Sequence, residues 1–261
     1  MRTDAVELEE GRLDGIESME DYSCVHERHR IFPDIFEGRA HRSILDISAG
    51  VGVVGKRVKD SYNDEVVCNE ISPTALKTME RAGLRTISFD IDDASQPFPL
   101  SDGCFDAVIS LATIEHLVHI DHFVQEIRRI LSNEGRFYVS APNYSGLLYL
   151  IPFLLTGKTF HDPMSKEQRY EFYAHIRYFT YRTLVELVSS FGFALEAVYL
   201  GLPKESSKYK KLQDRSRLLA NLFRTSMKLV YWISPRWASE PVLCFRKSEG
   251  GEPSGVRKVI L

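Results

Sequence analysis

The chain has 261 residues, of which 44% are hydrophobic and 26% are charged, the balance of a soluble protein with a sizeable core. Its 33 basic and 36 acidic side chains give a net charge of −3, which argues against a surface devoted to nucleic acid. The four cysteines lie far apart and form no C-x-x-C pair, so their spacing indicates neither a disulfide framework nor a cysteine zinc site. A reduced, cytoplasmic compartment is therefore expected.

The first half of the chain is predicted to alternate strands with helices. Residues 1–25 carry acidic side chains without a clear hydrophobic period and are predicted to form a flexible lead-in. Residues 26–247 are predicted to form a single domain. Its first five strands are predicted at Ser43–Ile47, Glu65–Asn69, Arg85–Phe89, Phe105–Leu111 and Gly135–Ala141. Because helical stretches separate most of these strands, the pattern predicts a parallel sheet covered on both faces.

The C-terminal half adds two segments to this alternation. Residues 143–175 form a long apolar and aromatic insertion, and a helix capped by Thr180 follows it. A basic, amphipathic helical segment at 203–236 separates two further strands. Those strands are predicted at 193–200 and 241–246. Residues 248–261 are predicted to be a flexible tail.

The junction after the first predicted strand carries the most informative local pattern. The apolar run Ile44–Ile47 leads into small residues and then into a helix, so that backbone N–H groups can approach a ligand. Gly50, Gly52 and Gly55 satisfy the dinucleotide fingerprint G-x-G-x-x-G, and Glu70 follows at a suitable distance for a ribose. This pattern alone does not separate a nicotinamide enzyme from other nucleoside-binding proteins.

The position of the first glycine and three acidic side chains favour a different nucleoside ligand. Gly50 stands three residues beyond the strand, whereas the first glycine of a dinucleotide-binding turn follows its strand directly. Asp46, Glu70 and Asp90 each end one of three successive strands. At that edge of a parallel sheet, Glu70 can accept hydrogen bonds from ribose hydroxyls and Asp90 from the exocyclic amine of adenine.

Several motifs together resemble the class I S-adenosylmethionine-dependent methyltransferases, over about residues 40–200. ILDISAGVG is similar to the first motif of that family, NEISPTAL to its ribose-binding strand end, and GRFYVSAPN to its fifth strand. The segment FDIDDASQPFPLSDGCFDAVISLATIEHL resembles its adenine loop and fourth strand. The resemblance implies an α/β three-layer sandwich with a seven-stranded, mostly parallel sheet whose last strand is antiparallel. It also implies S-adenosyl-L-methionine as the cofactor.

The same resemblance implies a set of cofactor contacts. Asp46, Gly50 and Gly52 would surround the methionine part, together with Ser48, which stands where the family usually has Gly. The other contacts would come from Glu70 and Ile71 at the ribose, Asp90 and Ile91 at the adenine, and Leu111 and Ala112 beside the sulfonium. Arg30, ahead of the first strand, is either a partner of the cofactor carboxylate or a surface residue.

Three residues are candidates for catalysis. Glu115 and His116 lie just past the fourth strand and are the best-placed general base if the methyl acceptor is a hydroxyl. Alternatively, Glu115 pairs locally and His116 packs. His175 either approaches the acceptor or is a hydrogen-bonded structural residue. In ubiquinone-biosynthesis O-methyltransferases, which this region resembles, an E-x-x-E-H pattern is associated with a divalent metal. Ala112 stands at the position of the first acid, so no metal is predicted.

The acceptor is expected to be a small-molecule, sugar or lipid-linked compound that is methylated at an oxygen atom and contacts the insertion. Nucleic acid is not expected, because Ala141–Tyr144 does not match the D/N-P-P-Y/F motif of adenine methylation and no Pro-Cys pair is present. Two alternative functions remain open. One is a catalytically silent cofactor-binding scaffold, and the other is a nicotinamide-dependent oxidoreductase.

Two segments raise the question of membrane contact. The apolar run 147–155 has nine residues, whereas a membrane-spanning helix needs about 20. The stretch 206–233 places basic residues beside Leu, Phe, Tyr and Trp at helical spacings. This pattern is typical of a helix that packs on its own domain or lies on an anionic membrane. The expectation is therefore a cytoplasmic protein in which both segments pack on their own domain, with peripheral membrane contact through them as the alternative.

Overall fold

A computed structural model describes residues 3–22, 24–158, 161–165, 169–248 and 255–261. The described strands are β1 Ile44–Ile47, β2 Val66–Asn69, β3 Arg85–Ile87, β4 Phe105–Leu111, β5 Leu131–Ser140, β6 Phe193–Leu200, β7 Val242–Lys247 and β8 Arg257–Ile260. The described α-helices are α1 Thr3–Arg12, α2 Glu27–Arg30, α3 Val53–Ser61, α4 Pro73–Arg81, α5 Ile120–Ile130, α6 Leu147–Thr156, α7 Arg169–Ala174, α8 Tyr181–Ser190, α9 Ser207–Arg215 and α10 Arg217–Ile233. The predicted alternation of strands and helices is confirmed.

All described strands belong to one sheet in the order β3-β2-β1-β4-β5-β7-β6-β8. The first five strands pair in parallel, and β7 lies antiparallel between β5 and β6. The predicted mostly parallel sheet with a late antiparallel strand is therefore confirmed. The order places β1 and β4 side by side at the centre, where the connections change direction, and ligands of open α/β sheets bind at such a point.

The predicted number of seven strands is wrong, because β8 adds an eighth. This strand pairs in parallel with β6, becomes the edge of the sheet, and lies in the segment that the sequence predicted to be a flexible tail. The Leu261 N–H donates to the Leu200 carbonyl at 2.9 Å, and the Leu202 N–H donates to the Leu261 carbonyl at 2.6 Å. Its four residues, RKVI, alternate too briefly to predict a strand, so pairing with an exposed sheet edge decides its structure.

Helices cover both faces of the sheet and divide the core in two. One face buries Phe123 and Ile127 of α5 and Val188 of α8 against the inner strands. The opposite face buries Phe36, which lies beyond α2, together with helix residues such as Val58 of α3. The predicted three-layer sandwich is confirmed by this arrangement.

The N-terminal helix α1 packs beside the carboxyl end of the sheet. Leu13 is buried against Val51 and Ala75. Glu10 accepts a hydrogen bond from the Thr74 N–H at 3.1 Å and others from the Thr74 and Ser72 hydroxyls, so α1 is tied to the start of α4. The sequence predicted a flexible lead-in here, and its mobility in solution stays a prediction.

The two segments singled out for membrane contact form exposed helices. Helix α6 has no buried residue, and Leu154 and Leu155 are 71% and 80% exposed. The second segment is divided into α9 and α10, and Trp232 near the end of α10 is 69% exposed. Asn143 ties the segment before α6 to the segment after α10, because its side-chain amide donates to the Arg236 and Ala238 carbonyls. Within the described ranges, no helix is both long and apolar enough to span a bilayer.

Candidate cofactor and acceptor site

The three acidic strand ends lie at one edge of the sheet. Asp46 is on β1, paired in register with Cys68 of β2, and Glu70 directly follows β2. Asp90 lies three residues beyond the end of β3. Parallel pairing in register is the reason that these carboxyl ends meet, as the sequence predicted. Their contacts with a cofactor stay predictions.

The turn between β1 and α3 has an uncommon backbone. Ser48, Gly50 and Gly52 all have positive φ, at 58°, 57° and 84°. Ser48 is not a glycine, and side chains in this region are strained, which is typical of functional sites. Ala112, at the end of β4, has a φ of 53° and shares this feature. Two of the predicted cofactor contacts therefore occupy strained positions at the same sheet edge.

Glycine stands at the positions of this turn for different physical reasons. A Cβ atom at Gly52 would lie 2.6 Å from Met79 Cγ, and one at Gly55 would lie 2.5 Å from Cys68 Sγ. Packing of helix against strand therefore explains both residues. At Gly50 the nearest described atom to a Cβ is Arg12 Nη2, at 3.9 Å. Gly50 consequently faces the open side of the turn, where a ligand can approach the backbone.

Asp46 and Glu70 are buried carboxyl groups in different hydrogen-bonding environments. Burial raises the pKa of Asp46 to about 7, although the Gly55 N–H donates to its Oδ2 at 3.1 Å. Burial also raises the pKa of Glu70. Glu70 nevertheless accepts from the Gly50 N–H at 2.8 Å and from the Ile71 N–H at 2.8 Å. A ligand that donates hydrogen bonds would compensate the desolvation of both groups.

The loop after β3 is joined to the end of β4. Asp90 Oδ1 accepts from the Asp92 N–H at 2.9 Å. The buried Asp92 carboxylate in turn accepts from the Val118 N–H at 3.1 Å and the His119 N–H at 2.6 Å. Ile91 is buried beside these groups. The predicted adenine loop is thus held against the segment that follows β4, and Leu111 and Ala112 begin that segment.

A second group of side chains lies beyond β4. Glu115 is fully buried and, among the described residues, neither of its carboxyl oxygens has a hydrogen-bond partner. Its Oε1 lies 4.0 Å from His116 Nε2. The rings of His116 and His175 are 4.7 Å apart between centroids. The structure therefore brings the three predicted catalytic residues together, although His175 is 59 positions from His116 in sequence.

Burial dominates the electrostatics of this group. It raises the pKa of Glu115 to about 8 and lowers that of His175 to about 3. The pKa of His116 is also lowered, again mainly by burial. At neutral pH the two imidazoles are thus neutral, and His175 is a weak base, whereas Glu115 holds a proton.

The same three residues offer ligand atoms to a metal ion. One atom from each of Glu115, His116 and His175 lies within 4.8 Å of the others. Carbonyl and hydroxyl partners orient both rings, because His116 Nδ1 is 3.1 Å from the Ala174 carbonyl and His175 Nδ1 is 3.1 Å from the Tyr144 hydroxyl. Such partners are typical of metal-binding and of catalytic histidines alike. The expectation of no metal, based on Ala112, stays a prediction.

Sequence reasoning missed several groups around this site. Arg28 and Glu240 form a partly buried ion pair, which holds the pKa of Glu240 well below its usual range although burial alone would raise it. His161 contacts the Tyr144 hydroxyl at 3.1 Å. Arg30, considered for the cofactor carboxylate, is buried and donates to the Leu202 and Leu261 carbonyls instead. These contacts join distant parts of the chain, so no local pattern indicated them.

Comparison with known proteins identifies the central part of the chain. Residues 45–139, from β1 to β5, match the family described as "Methyltransferase domain". This part of the chain is therefore similar to methyltransferase domains. The match covers β1, the glycine turn, Glu70, Asp90 and the Glu115–His116 pair. The predicted resemblance to methyltransferases is confirmed.

Curated relatives match the methyltransferase domain but not whole chains. Ajmaline N-methyltransferase from Rauvolfia serpentina is 34% identical over 108 residues, which are 39% of this chain and 36% of that protein. Malonyl-[acyl-carrier protein] O-methyltransferase from Geobacter sulfurreducens is 33% identical over 122 residues, 44% of this chain and 45% of that protein. The chain thus matches less than half the length of either relative.

Solved structures extend the likeness to nearly the whole fold. Phosphoethanolamine N-methyltransferase 2 from Haemonchus contortus, in complex with S-adenosyl-L-methionine, has a TM-score of 0.57 and 17% identity. The alignment covers 94% of this chain and 57% of that chain. At this identity the likeness shows the fold alone. The chain therefore has the class I methyltransferase fold, with the additional strand β8 at the edge of its sheet.

Proposed function

We propose that the protein is an S-adenosyl-L-methionine-dependent methyltransferase that modifies a small-molecule acceptor. The single observation that carries this proposal is the convergence of Asp46, Glu70 and Asp90 beside the open glycine turn. Each carboxylate is an acceptor for hydrogen bonds, and a nucleoside bearing an amino acid offers hydroxyl and amine donors. The relatives of residues 45–139 are named as methyltransferases, which also supports S-adenosyl-L-methionine as the cofactor.

The cofactor contacts follow the three strand ends. The turn with Ser48, Gly50 and Gly52 would hold the methionine part against Asp46. Glu70 and Ile71 would hold the ribose, and Asp90 and Ile91 would hold the adenine. Leu111 and Ala112 would line the side that faces the acceptor. Hydrogen bonds to charged acceptors of this kind contribute about 1.5–3 kcal/mol each.

In the proposed reaction the protein mainly positions two reactants. When bound, the cofactor supplies an activated methyl group on a sulfonium. The chain holds the acceptor in line with that group and excludes water, an effect that can contribute about 7–11 kcal/mol to the barrier. Neutral His116 would accept the proton that an acceptor hydroxyl loses, with His175 beside it, and Glu115 would orient the acceptor through its retained proton. We propose oxygen as the methylated atom because a hydroxyl acceptor gives this neutral imidazole a role as general base.

Exposed apolar helices support an amphiphilic acceptor. Leu154 and Leu155 of α6 and Trp232 of α10 are exposed. Tyr149, on the first half of α6, packs on Tyr144 of the site with 5.3 Å between ring centroids, and burial raises its pKa. Exposed apolar surface is a feature of sites that contact a partner or a membrane. Exposed basic side chains on α9 and α10 are Lys208, Lys210, Lys211, Arg224 and Lys228. A lipid-linked acceptor presented at an anionic membrane would meet both helices.

Isothermal titration tests the cofactor proposal. S-adenosylmethionine and its demethylated product should both bind, and Asp46→Ala and Glu70→Ala should each weaken binding at least about tenfold, because each removes a charged acceptor. Asp60→Ala, on the exposed side of α3, is the matched control and should leave affinity unchanged. Unchanged affinity in both site variants would contradict the proposal, as would enhanced NADH fluorescence without binding of either nucleoside.

Transfer of a labelled methyl group separates an enzyme from a silent scaffold. The full chain is incubated with labelled cofactor and with separated lipid, glycan and small-metabolite fractions of a cell extract. We expect label in the lipid or small-metabolite fraction, as an ether stable to mild base. Binding of the cofactor without label in any fraction would instead identify a catalytically silent scaffold.

A further inference from the structure

The ion pair at the end of α1 lies across the open side of the glycine turn. Arg12 donates to the Glu9 carboxylate from Nε at 2.8 Å, and its Nη2 lies 2.7 Å from the same carboxylate. The same Nη2 is the nearest described atom to the position that a Cβ of Gly50 would take, at 3.9 Å. The pair therefore borders the surface at which the proposed methionine part of the cofactor would lie.

The charges of Glu9 and Arg12 act on both halves of the site, the cofactor half with Glu70 and the catalytic half with His116. Burial raises the pKa of Glu70, and the Glu9 carboxylate adds to that increase. Burial lowers the pKa of His116, on which Glu9 and Arg12 act in opposite directions. Glu9 and Arg12 are thus near the ribose-binding carboxylate on one side and near the catalytic cluster on the other.

The strand ends alone leave one charge of the ligand without a counterpart. The methionine part carries an ammonium and a carboxylate, whereas Asp46, Glu70 and Asp90 are all acidic. A carboxylate bound among them needs a cation, and guanidinium is suited to it because it donates two parallel hydrogen bonds. Arg30 does not serve this purpose, because the Leu202 and Leu261 carbonyls and Glu27 occupy its donors.

Independent contacts hold α1 in this position. Leu13 packs on Val51 and Ala75, and Glu10 accepts hydrogen bonds from Ser72 and Thr74 at the start of α4. These contacts fix the helix without using Glu9 or Arg12. Because the helix is already docked, little ordering would be needed when a ligand binds, which favours affinity.

We infer that α1 completes the cofactor pocket, with Arg12 binding the carboxylate and Glu9 the ammonium of the ligand's amino-acid part. In the free protein the two side chains pair with each other and so imitate the zwitterion that they bind. This inference rests on the proposed function. It assigns a binding role to a segment outside the matched methyltransferase domain.

Two ligands that differ only in the amino-acid part test this inference. S-adenosylhomocysteine carries that part, whereas 5′-methylthioadenosine has the same nucleoside and sulfur without it. Titration calorimetry on the full chain should show that Arg12→Ala and Glu9→Gln each weaken the binding of S-adenosylhomocysteine at least about tenfold. Neither substitution should change the affinity for 5′-methylthioadenosine by more than about twofold. Arg12→Lys, which keeps the charge but loses the paired donors, should give an intermediate loss.

The controls separate the possible failures. Glu7→Gln changes an exposed residue of the same helix and should leave both affinities unchanged. If Arg12→Ala weakened the binding of both ligands equally, the inference would be overturned, because the loss would then come from disturbed packing of α1 and not from a contact with the amino-acid part. Unchanged binding of S-adenosylhomocysteine would also overturn it. Failure of the unmodified chain to bind either ligand would instead overturn the proposed function.

Discussion

Glu115 combines complete burial with two carboxyl oxygens that lack hydrogen-bond partners among the described residues. An isolated buried carboxylate is unfavourable, so the group retains its proton and its pKa rises to about 8. Asp46 is the nearest parallel at the other half of the site, with a pKa raised to about 7. Carboxyl groups with pKa values raised by burial are typical of binding and catalytic sites.

Glu115→Gln should therefore change how stability depends on pH. The unfolded carboxyl loses its proton near 4.5 and the folded one near 8, so the native state holds more protons between these values. Stability contributed by this group consequently falls as pH rises through that window. Glutamine does not titrate, so the variant should gain on the order of a few kcal/mol relative to the unmodified chain across the window. Urea unfolding at a series of pH values measures this difference.

The matched control is Glu186→Gln, an exposed carboxylate on α8. Its free energy of unfolding, plotted against pH, should run parallel to that of the unmodified chain. Parallel curves for Glu115→Gln as well would show that Glu115 titrates normally in the folded protein.

The turn between β1 and α3 illustrates how one element combines packing with binding. Gly52 is confined by Met79 and Leu84 of the neighbouring βα unit, whereas Gly50 faces the ligand side. The sequence pattern G-x-G-x-x-G does not distinguish the roles of its glycines. The structure does, because a Cβ atom would meet different neighbours at each position.

Gly52→Ala should destabilise the protein by more than backbone strain alone. Gly15 has a similar φ, 79° against 84°, but a Cβ there would meet no described atom within 4 Å. Gly15→Ala therefore measures the strain, of about 1–2 kcal/mol. Gly52→Ala should cost about 1–3 kcal/mol beyond that, because its methyl group overpacks against Met79 and Leu84. Urea unfolding of both variants gives the comparison, and equal losses would contradict the packing explanation.

At the scale of the whole molecule, apolar and basic surfaces adjoin. Helix α6 presents leucine side chains, and α9 and α10 present lysine, arginine and tryptophan. The Asn143 side-chain amide donates to the Arg236 carbonyl, which links the segment before α6 to the segment after α10. Apolar burial and attraction to anionic lipid add when a helix lies in the membrane interface.

The full chain should therefore sediment with anionic vesicles. Binding is expected to phosphatidylcholine vesicles that contain phosphatidylglycerol, to decrease with added salt, and to be weak with phosphatidylcholine alone. The double variant Leu154→Glu and Leu155→Glu should weaken binding at least about tenfold, because two leucine side chains lose apolar contact. Val256→Glu, an exposed position beside β8, is the control and should bind normally. Equal sedimentation of all three proteins would contradict membrane contact through α6.

The sequence by itself determined the order of the first strands and the acidic residue that ends each of them. These features depend on local hydrophobic period and on parallel pairing, which places consecutive carboxyl ends at one edge. Only the tertiary structure decided that His175 joins Glu115, that the Glu9–Arg12 pair borders Gly50, and that residues 257–260 form an eighth strand. Each of these depends on contacts between segments far apart in the chain, and no short pattern encodes which distant surface a segment will meet.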